Sequence, residues 1–353
     1  MINMNNNAKF KFLKPYIIAE IGVNHAGSMS LAKKMIREIS IAGGNAAKFQ
    51  TYKAEKIASK NHSPYYWDLK SEPSTSQFKL FKKYDSFGEA EYKELSKYCK
   101  KNGIDFLSTP FDLDAVDSLC KIMPYFKIAS ADITNVPLLE KISSKKKPVI
   151  LSTGASKYHE IDSALEILYK GGVKNITLLH CVLNYPTPKK RAQMSLFNKL
   201  KSIYGEMCHI GYSDHVAPNL DGSMPSLEMA TLNGAVVIEK HFTHDKTLKG
   251  NDHYHAMDKN DLKKFVNKIT EYRILFGNGQ RNLNWEKRAI TSARRRIISS
   301  KEIKSGTKLS HNNLIALRSE VGIEVSHWKS VVGKKINKNI KPQEPIHWKY
   351  IES

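Results

Sequence analysis

Short apolar runs alternate with amphipathic stretches along most of the chain. Eight of the apolar runs are six to eight residues long and rich in β-branched or aromatic residues, which is typical of buried strands. Between most of them lie stretches of helical periodicity, and those at 89–103 and 159–172 end in Lys and Gly, residues favoured at helix C-termini. The eight predicted strands are residues 16–22, 46–52, 104–110, 126–132, 148–154, 176–181, 208–215 and 236–242.

This alternation predicts a (β/α)8 TIM barrel over residues 1–280, because eight strand–helix units match that fold in number and length. A doubly wound open sheet is the alternative, but no G-x-G-x-x-G follows the first predicted strand. The stretch 53–86, between the second and third strands, is long for a plain connection, which favours a functional loop.

The chain beyond the predicted barrel has a different pattern. Residues 281–296 are polar and basic and are predicted to be a linker, and residues 297–353 are predicted to form a small β-rich domain. Within that domain, 301–310 and 338–347 are similar to each other, and each predicts a strand, a tight turn and a strand. A module of this length is marginally stable alone, so we expect it to dock on a barrel, its own or a partner's.

Composition narrows the class of protein. No run reaches 18 consecutive apolar residues, and the polar N-terminus lacks the apolar stretch of a secretory signal. Four cysteines without C-x-x-C spacing predict free thiols in the cytoplasm rather than zinc sites or disulfides. The net charge of +22 would suit a nucleic-acid-binding protein, but the lysines are spread along the whole chain and no RNA- or DNA-binding motif accompanies them. We therefore expect a basic surface or an anionic small substrate, with no nucleic-acid or membrane partner.

Polar residues follow each predicted strand where the apolar run ends. In a TIM barrel the active site lies at the carboxyl ends of the strands, so these residues are expected to share one pocket. They are Glu20, Lys48 and Gln50, Thr109, Lys127 and Ser130, Ser152, His180, Ser213 and His215, and Glu239 and His241.

His215 and His241 end the neighbouring seventh and eighth predicted strands. Each alone is readily explained as a core or loop histidine, but a pair at matched positions on adjacent strands favours a shared metal ion.

Lys48 and Lys127 are expected to point into the mouth of the barrel, where an unpaired ammonium group is costly. Together with neighbouring hydroxyl residues they predict a site for a phosphate and a carboxylate. The alternative is that each lysine pairs with Glu20 or Glu239 inside the barrel.

Eight motifs, in order along the chain, resemble those of the bacterial sialic acid synthases, including the enzymes that make legionaminic and pseudaminic acid. They are IIAEIGVNHAGSMSLAKKMI, AAKFQTY, FLSTPFD, KIASADITN, ILSTGAS, HCVLNYPTP, GYSDH and VIEKHFT. The C-terminal module is similar to the antifreeze-like SAF domain, a β-clip fold, of the same enzymes, so the resemblance covers nearly the whole chain.

The resemblance implies condensation of phosphoenolpyruvate with an N-acylated mannosamine-type sugar, giving a nine-carbon 2-keto acid and phosphate. It implies a divalent ion (Mn²⁺, Mg²⁺ or Co²⁺) held by His215 and His241, and a homodimer in which each C-terminal domain caps the partner's barrel. It further implies catalytic roles for Glu20, Lys48 and Asp252. The residues implied to bind phosphoenolpyruvate are Lys48, Thr109, Lys127, Ser130, Ser152, Tyr185 and Ser213. Those implied to contact the sugar are Gln50, Asp132, Asn184 and Arg318.

Three features depart from the motifs of the family. Asp132 stands where glutamate is usual, Leu183 followed by Asn184 stands where a small polar residue is usual, and the segment 216–234 is several residues longer. These departures affect the sugar side of the site and leave the identity of the amino sugar open. The alternatives are a legionaminic- or pseudaminic-type synthase that uses a di-N-acylated 6-deoxy sugar, a synthase acting on a phosphorylated sugar, and a non-catalytic sugar-binding protein.

Overall fold

The computed structural model describes residues 12–67, 69–70, 72–250 and 252–352. The chain divides into two compact units, with the boundary between Asn278 and Gly279.

In the first unit, eight parallel strands form a near-barrel in which β1 pairs with both β2 and β8. The order β3-β2-β1-β8-β7-β6-β5-β4 keeps sequence neighbours side by side, and the predicted TIM-barrel class is confirmed. The strands are β1 (Tyr16–Gly22), β2 (Ala46–Thr51), β3 (Asp105–Pro110), β4 (Phe126–Ile128), β5 (Val149–Ser152), β6 (Ile176–Cys181), β7 (His209–Asp214) and β8 (Val237–His241).

Each strand lies inside one of the eight predicted runs, but β4 ends four residues before its run does. The chain turns there because Ser130–Asp132 form a 3-10 turn, with the Asp132 amide bonded to the Ala129 carbonyl. The Ser130 hydroxyl accepts a hydrogen bond from the Gly154 amide at 2.9 Å, which ties this turn to the end of β5.

Ten α-helices accompany the strands in the described part of this unit. The first shows why they form: the Ser28 side chain caps its N-terminus, and Gly43, with φ of 92°, ends it in the left-handed conformation that glycine favours. Its buried residues, including Ala32, Met35 and Ile39, recur at helical spacing. The helices are α1 (Met29–Ala42), α2 (Ala54–Ile57), α3 (Gln77–Tyr84), α4 (Glu89–Lys101), α5 (Leu113–Cys120), α6 (Val136–Ser143), α7 (Tyr158–Lys170), α8 (Ser195–Tyr204), α9 (Pro225–Leu232) and α10 (Lys259–Phe276).

The strands are buried on both faces, which is typical of a parallel sheet covered by helices. One large apolar core results, and the polar side chains of the strands are concentrated at their carboxyl ends. No helix in the described ranges is both long and apolar enough to cross a membrane.

The second unit is a small β-rich domain with its own apolar core, built largely from isoleucines such as Ile297, Ile336 and Ile340. It contains α11 (Lys287–Ala293), an antiparallel pair of β9 (Arg295–Ser299) and β10 (Leu314–Arg318), and α12 (Trp328–Val331). The two similar stretches of the sequence meet in it, since Ile303 and Ile340 form an antiparallel bridge. The segment predicted as a linker holds a 3-10 turn, α11 and the start of β9, and its exact bounds stay a prediction.

Candidate active site

A cavity of about 350 Å³ opens at the carboxyl ends of the barrel strands. Strand register brings its polar residues together: Glu20 lies opposite both Lys48 on β2 and His241 on β8, and Ser213 on β7 lies opposite Glu239. Of the fifteen residues implied as site residues, the cavity is lined by Glu20, Lys48, Gln50, Thr109, Lys127, Ser130, Asp132, Ser152, Tyr185, Ser213, His215, His241 and Asp252.

Two lysines and two glutamates form a buried charge cluster on one side of the cavity. Lys48 Nζ lies 2.5 Å from Glu20 Oε2 and 3.6 Å from Glu239 Oε2. Lys127 Nζ lies 3.5 Å from Glu239 Oε1. The structure therefore has the lysine–glutamate pairing that the sequence left open, and it leaves both ammonium groups on the cavity wall. An anionic ligand would have to share them with the two carboxylates.

Burial and charge act in opposite directions on the pKa values of this cluster. Burial raises the pKa of Glu20 to about 7, although Lys48 pulls it down. Burial also opposes ionisation of Glu239, but Lys127 and Lys48 outweigh it and hold that pKa below its ordinary value. The pKa of Lys127 is lowered, chiefly by burial. Glu20 is thus the carboxyl group of the cluster best able to exchange a proton near neutral pH.

Hydroxyl groups surround the charges and extend the polar wall. Thr109 accepts a hydrogen bond from Lys48 at 3.0 Å, and the Ser213 hydroxyl donates to Glu239 at 3.0 Å. The Ser152 hydroxyl is buried without a hydrogen-bond partner among the described residues. Because such a group is costly to leave unpaired, Ser152 is well suited to bind a ligand oxygen.

Imidazole rings form another part of the site. The ring centroids of His215 and His241 lie 5.5 Å apart. His215 Nδ1 lies 2.8 Å from the Val182 carbonyl, and an N–H at that position donates to the carbonyl and leaves Nε2 free to bind a metal. His241 Nδ1 lies 3.3 Å from Asp252 Oδ2.

A third histidine, His255, belongs to the same group and was missed from the sequence. His241, Asp252 and His255 each offer a ligand atom, and these atoms all lie within 4.8 Å of one another. His255 is three residues after Asp252 in the sequence. The 3-10 turn His253–His255 brings its Nε2 within 3.9 Å of Asp252 Oδ1. The sequence GNDHYHAMD does contain the pattern that could have indicated this group, because an aspartate is followed three residues later by a histidine.

This donor set fits a divalent ion. Burial lowers the pKa of His215 to about 4 and those of His241 and His255 well below their ordinary value, so all three rings are neutral at pH 7, the form that binds metals. Burial, and next the charge of Glu20, raises the pKa of Asp252 to about 7, and a cation nearby would restore its charge.

One predicted sugar contact of the barrel, Asn184, is not brought to the cavity wall. Asn184 lies beside the lining residues Leu183 and Tyr185 but is not one of them, so its predicted role has no support from the geometry. Arg318 is exposed at the end of β10 in the second unit, and its role stays a prediction.

The long stretch between β2 and β3 lines a further part of the cavity with residues that were not individually predicted from the sequence. Half of its lining residues are aromatic, and Tyr52, which follows β2, packs edge-on against Phe81 at 5.3 Å between ring centroids. Glu72 is the buried acidic group among them. The lining residues of the stretch are Ile57, Tyr66, Trp67, Glu72, Gln77, Leu80, Phe81 and Tyr84.

Known proteins share both the sequence and the fold. The chain is 38% identical to the N,N'-diacetyllegionaminic acid synthase of Campylobacter jejuni, over 94% of this chain and 99% of that protein. It is 33% identical to the enzyme of the same name from Legionella pneumophila, over 99% and 100%. The crystal structure of an N-acetylneuraminic acid synthetase from Leptospira borgpetersenii, a citrate complex, is 35% identical with a TM-score of 0.67, covering 78% of this chain and 90% of that one.

The match extends to both units. Residues 35–281 fit the NeuB family and residues 294–352 fit the SAF domain. With most of the barrel and the second domain accounted for, the chain belongs to the NeuB family of nonulosonic acid synthases, and it is an enzyme of the transferase class.

Proposed function

We propose that this enzyme condenses phosphoenolpyruvate with an N-acylated mannosamine-type sugar, forming a nine-carbon 2-keto sugar acid and inorganic phosphate. The observation that carries the proposal is the single cavity in which two lysines, several hydroxyl groups and a cluster of metal-type donors lie together. Its volume of about 350 Å³ is within the usual range for small-molecule sites.

The charge cluster supports the phosphoenolpyruvate site. Lys48 and Lys127 supply two cations on one wall, and the Ser152 hydroxyl supplies a buried donor that has no partner among the described residues. Binding a phosphate and a carboxylate there would replace Glu239 as the partner of Lys127. The site thereby neutralises the donor and holds it in one orientation.

Bond making and breaking then follow from the donor's chemistry. The enol carbon of phosphoenolpyruvate attacks the aldehyde carbon of the open-chain sugar and forms the new C–C bond. Water adds at the phosphate-bearing carbon and gives up both protons, one to the alkoxide formed from the aldehyde and one to the departing phosphate. The C–O bond to phosphate breaks with its electron pair leaving on phosphate, and the oxygen of the added water becomes the keto oxygen. Glu20, whose pKa is raised to about 7, is proposed to relay one of these protons.

A divalent ion would be held by His215 and His241, with Asp252 beside them. When bound, such an ion polarises the aldehyde oxygen as a Lewis acid. Tyr185 packs against His215, at 4.1 Å between ring centroids, and so restricts the orientation of that imidazole.

For the sugar, we propose a di-N-acylated 6-deoxy form. Tyr66, Trp67 and Phe81 contribute aromatic surface to the cavity wall, beside the polar Glu72 and Gln77, and Leu183 replaces a small polar residue of the family motif. Acyl methyls and a 6-methyl group would bury apolar surface against such a wall, whereas free hydroxyl groups would lose hydrogen bonds to water. The two relatives named as N,N'-diacetyllegionaminic acid synthases support the same choice.

The test measures the phosphate that the enzyme releases from phosphoenolpyruvate with each of a panel of N-acyl sugars in the presence of Mn²⁺. We expect the highest kcat/KM with a di-N-acylated 6-deoxy sugar, less with N-acetylmannosamine and less again with its 6-phosphate. Phosphoenolpyruvate labelled with ¹⁸O at the bridging oxygen should deliver the label to phosphate, and retention of that label in the keto acid would contradict C–O cleavage. His241→Ala should abolish both turnover and metal retention. Absence of phosphate release with every sugar would overturn the proposed reaction.

Two further expectations belong to the same proposal. The resemblance supports a homodimer in which Arg318 reaches the sugar bound by the partner subunit, and sedimentation equilibrium would test the dimer. Four free cysteines support a reducing, cytoplasmic location, which fractionation of cells would test.

A further inference from the structure

His255 is completely buried, and neither of its ring nitrogens has a hydrogen-bond partner among the described residues. Its ring lies 5.0 Å from that of His241 and 5.9 Å from that of His215, measured between centroids. Its Nε2 lies 3.9 Å from Asp252 Oδ1. Both ring nitrogens of His255 therefore lie beside the proposed metal ligands without a hydrogen-bond partner among the described residues, and either could supply a lone pair to a metal ion.

Two other buried histidines of the barrel each have a hydrogen-bond partner for a ring nitrogen. His253 Nδ1 lies 2.7 Å from the Thr243 hydroxyl, and His180 Nε2 lies 2.9 Å from the Ala192 carbonyl. A histidine that serves packing is normally bonded in this way, because an unpaired buried polar atom is costly. His255 lacks such a bond within the described chain, so packing alone does not account for it.

The distances suit a shared ion. Ligand atoms about 2.1 Å from one divalent ion lie about 3–4 Å from each other in tetrahedral or octahedral geometry. The ligand atoms of His241, Asp252 and His255 already lie within 4.8 Å of one another. Small inward movements of these three side chains would bring their ligand atoms to coordination distance, and the ring of His215 lies 5.5 Å from that of His241 between centroids.

We propose that His255 is a third imidazole ligand of the metal ion, joining His215, His241 and the carboxylate of Asp252. The inference rests on the proposed metal centre and extends it to a residue that neither the motifs nor the strand ends indicated. Three imidazoles favour later transition ions over Mg²⁺, which prefers oxygen ligands. The ion class expected here is therefore Co²⁺, Fe²⁺ or Zn²⁺, with Mn²⁺ bound more weakly and Mg²⁺ weakest.

The test measures metal binding by the full-length protein after chelation and dialysis, without substrate. Co²⁺ is titrated by its visible absorption and Mn²⁺ by its free-ion EPR signal, for wild type, His255→Asn and His255→Gln. His209→Gln is the matched control, because His209 begins β7 at the opposite end of the strand from His215. ESEEM of the Mn²⁺ complex counts the bound imidazoles.

We expect three imidazoles in wild type and two in both His255 variants. The dissociation constant for Co²⁺ should rise at least about tenfold, since even loss of an outer partner of a ligand commonly costs 10- to 100-fold. The constant for Mn²⁺ should rise less, whereas general damage to the site would weaken both ions equally. His209→Gln should match wild type.

Other outcomes decide between the inference and the centre on which it rests. Wild type with two imidazoles, or His255 variants that bind Co²⁺ as tightly as wild type, would overturn the role of His255 and leave the two-histidine centre standing. Wild type that binds no metal would overturn the metal centre itself. If both variants misfold by circular dichroism, the imidazole count of wild type alone decides, with three supporting the inference and two refuting it.

Discussion

A buried ion pair joins the ends of β7 and β8 directly behind the metal-type histidines. Lys240 Nζ lies 2.7 Å from Asp214 Oδ2, and both side chains are fully buried. Each residue precedes a histidine of the site, and side chains alternate along a strand, so the pair faces away from the cavity while His215 and His241 face it. We expect this pair to maintain the register that sets the spacing of the two rings.

The geometry gives the size of the effect. At 2.7 Å and an effective dielectric constant of about 20, the charges attract by about 6 kcal/mol, most of which offsets their loss of hydration. Lys240→Met would leave the Asp214 carboxylate with only the Tyr212 hydroxyl and the Val216 amide as donors. Removing one partner of a buried pair usually costs about 3–5 kcal/mol, and we expect that loss in the free energy of unfolding.

The assay is a double-mutant cycle with Lys240→Met and Asp214→Asn, followed by urea unfolding and far-UV circular dichroism. Asparagine keeps an oxygen for the two remaining donors, so the double variant contains no uncompensated charge. Its cost should be at least about 2 kcal/mol below the sum of the single costs. Lys141→Met is the control, because its partner Asp117, at 2.8 Å, is half exposed and such a pair is worth at most about 1 kcal/mol.

Two results would refute the reasoning. A single variant that loses less than about 1 kcal/mol would mean that the buried charge finds other compensation. Additive single costs would mean that the two residues do not stabilise each other in the folded protein.

Three further predictions concern the site and the barrel. Lys127→Met removes a cation of the cavity wall, so the KM for phosphoenolpyruvate should rise at least about tenfold while the sugar KM changes little; unchanged kinetics would contradict its role. Gly211→Ala would put a methyl group 2.5 Å from the Val237 carbonyl oxygen, so urea unfolding should show a free energy of unfolding lower by about 1–3 kcal/mol. Gly88→Ala is the control, because the nearest atom to its added methyl group would lie at 3.4 Å, and an equal loss in both variants would contradict the prediction. Arg318→Ala should raise the sugar KM in steady-state assays, and an effect confined to phosphoenolpyruvate would refute the proposed contact.

Much of the site follows from the order of residues alone. In a parallel barrel every strand delivers its carboxyl end to the same rim, so knowing where an apolar run ends is enough to place the next polar side chain. Glu20, Lys48 and His241 were assigned to one cavity on that basis, and strand register puts Glu20 directly opposite the other two. The small C-terminal domain was predicted from its two similar stretches, and in the structure these stretches pair with each other through Ile303 and Ile340.

Tertiary structure alone decided what those side chains touch. Lys48 faces two glutamates from different strands, and which pairing occurs depends on side-chain conformations that no periodicity in the sequence encodes. His255 and the aromatic wall around Trp67 lie on irregular segments, whose paths are determined by contacts with the rest of the fold and not by local preference. Regular strands therefore allowed the rim to be predicted from sequence, whereas the positions of His255 and of the aromatic residues around Trp67, which lie on loops, required the folded chain.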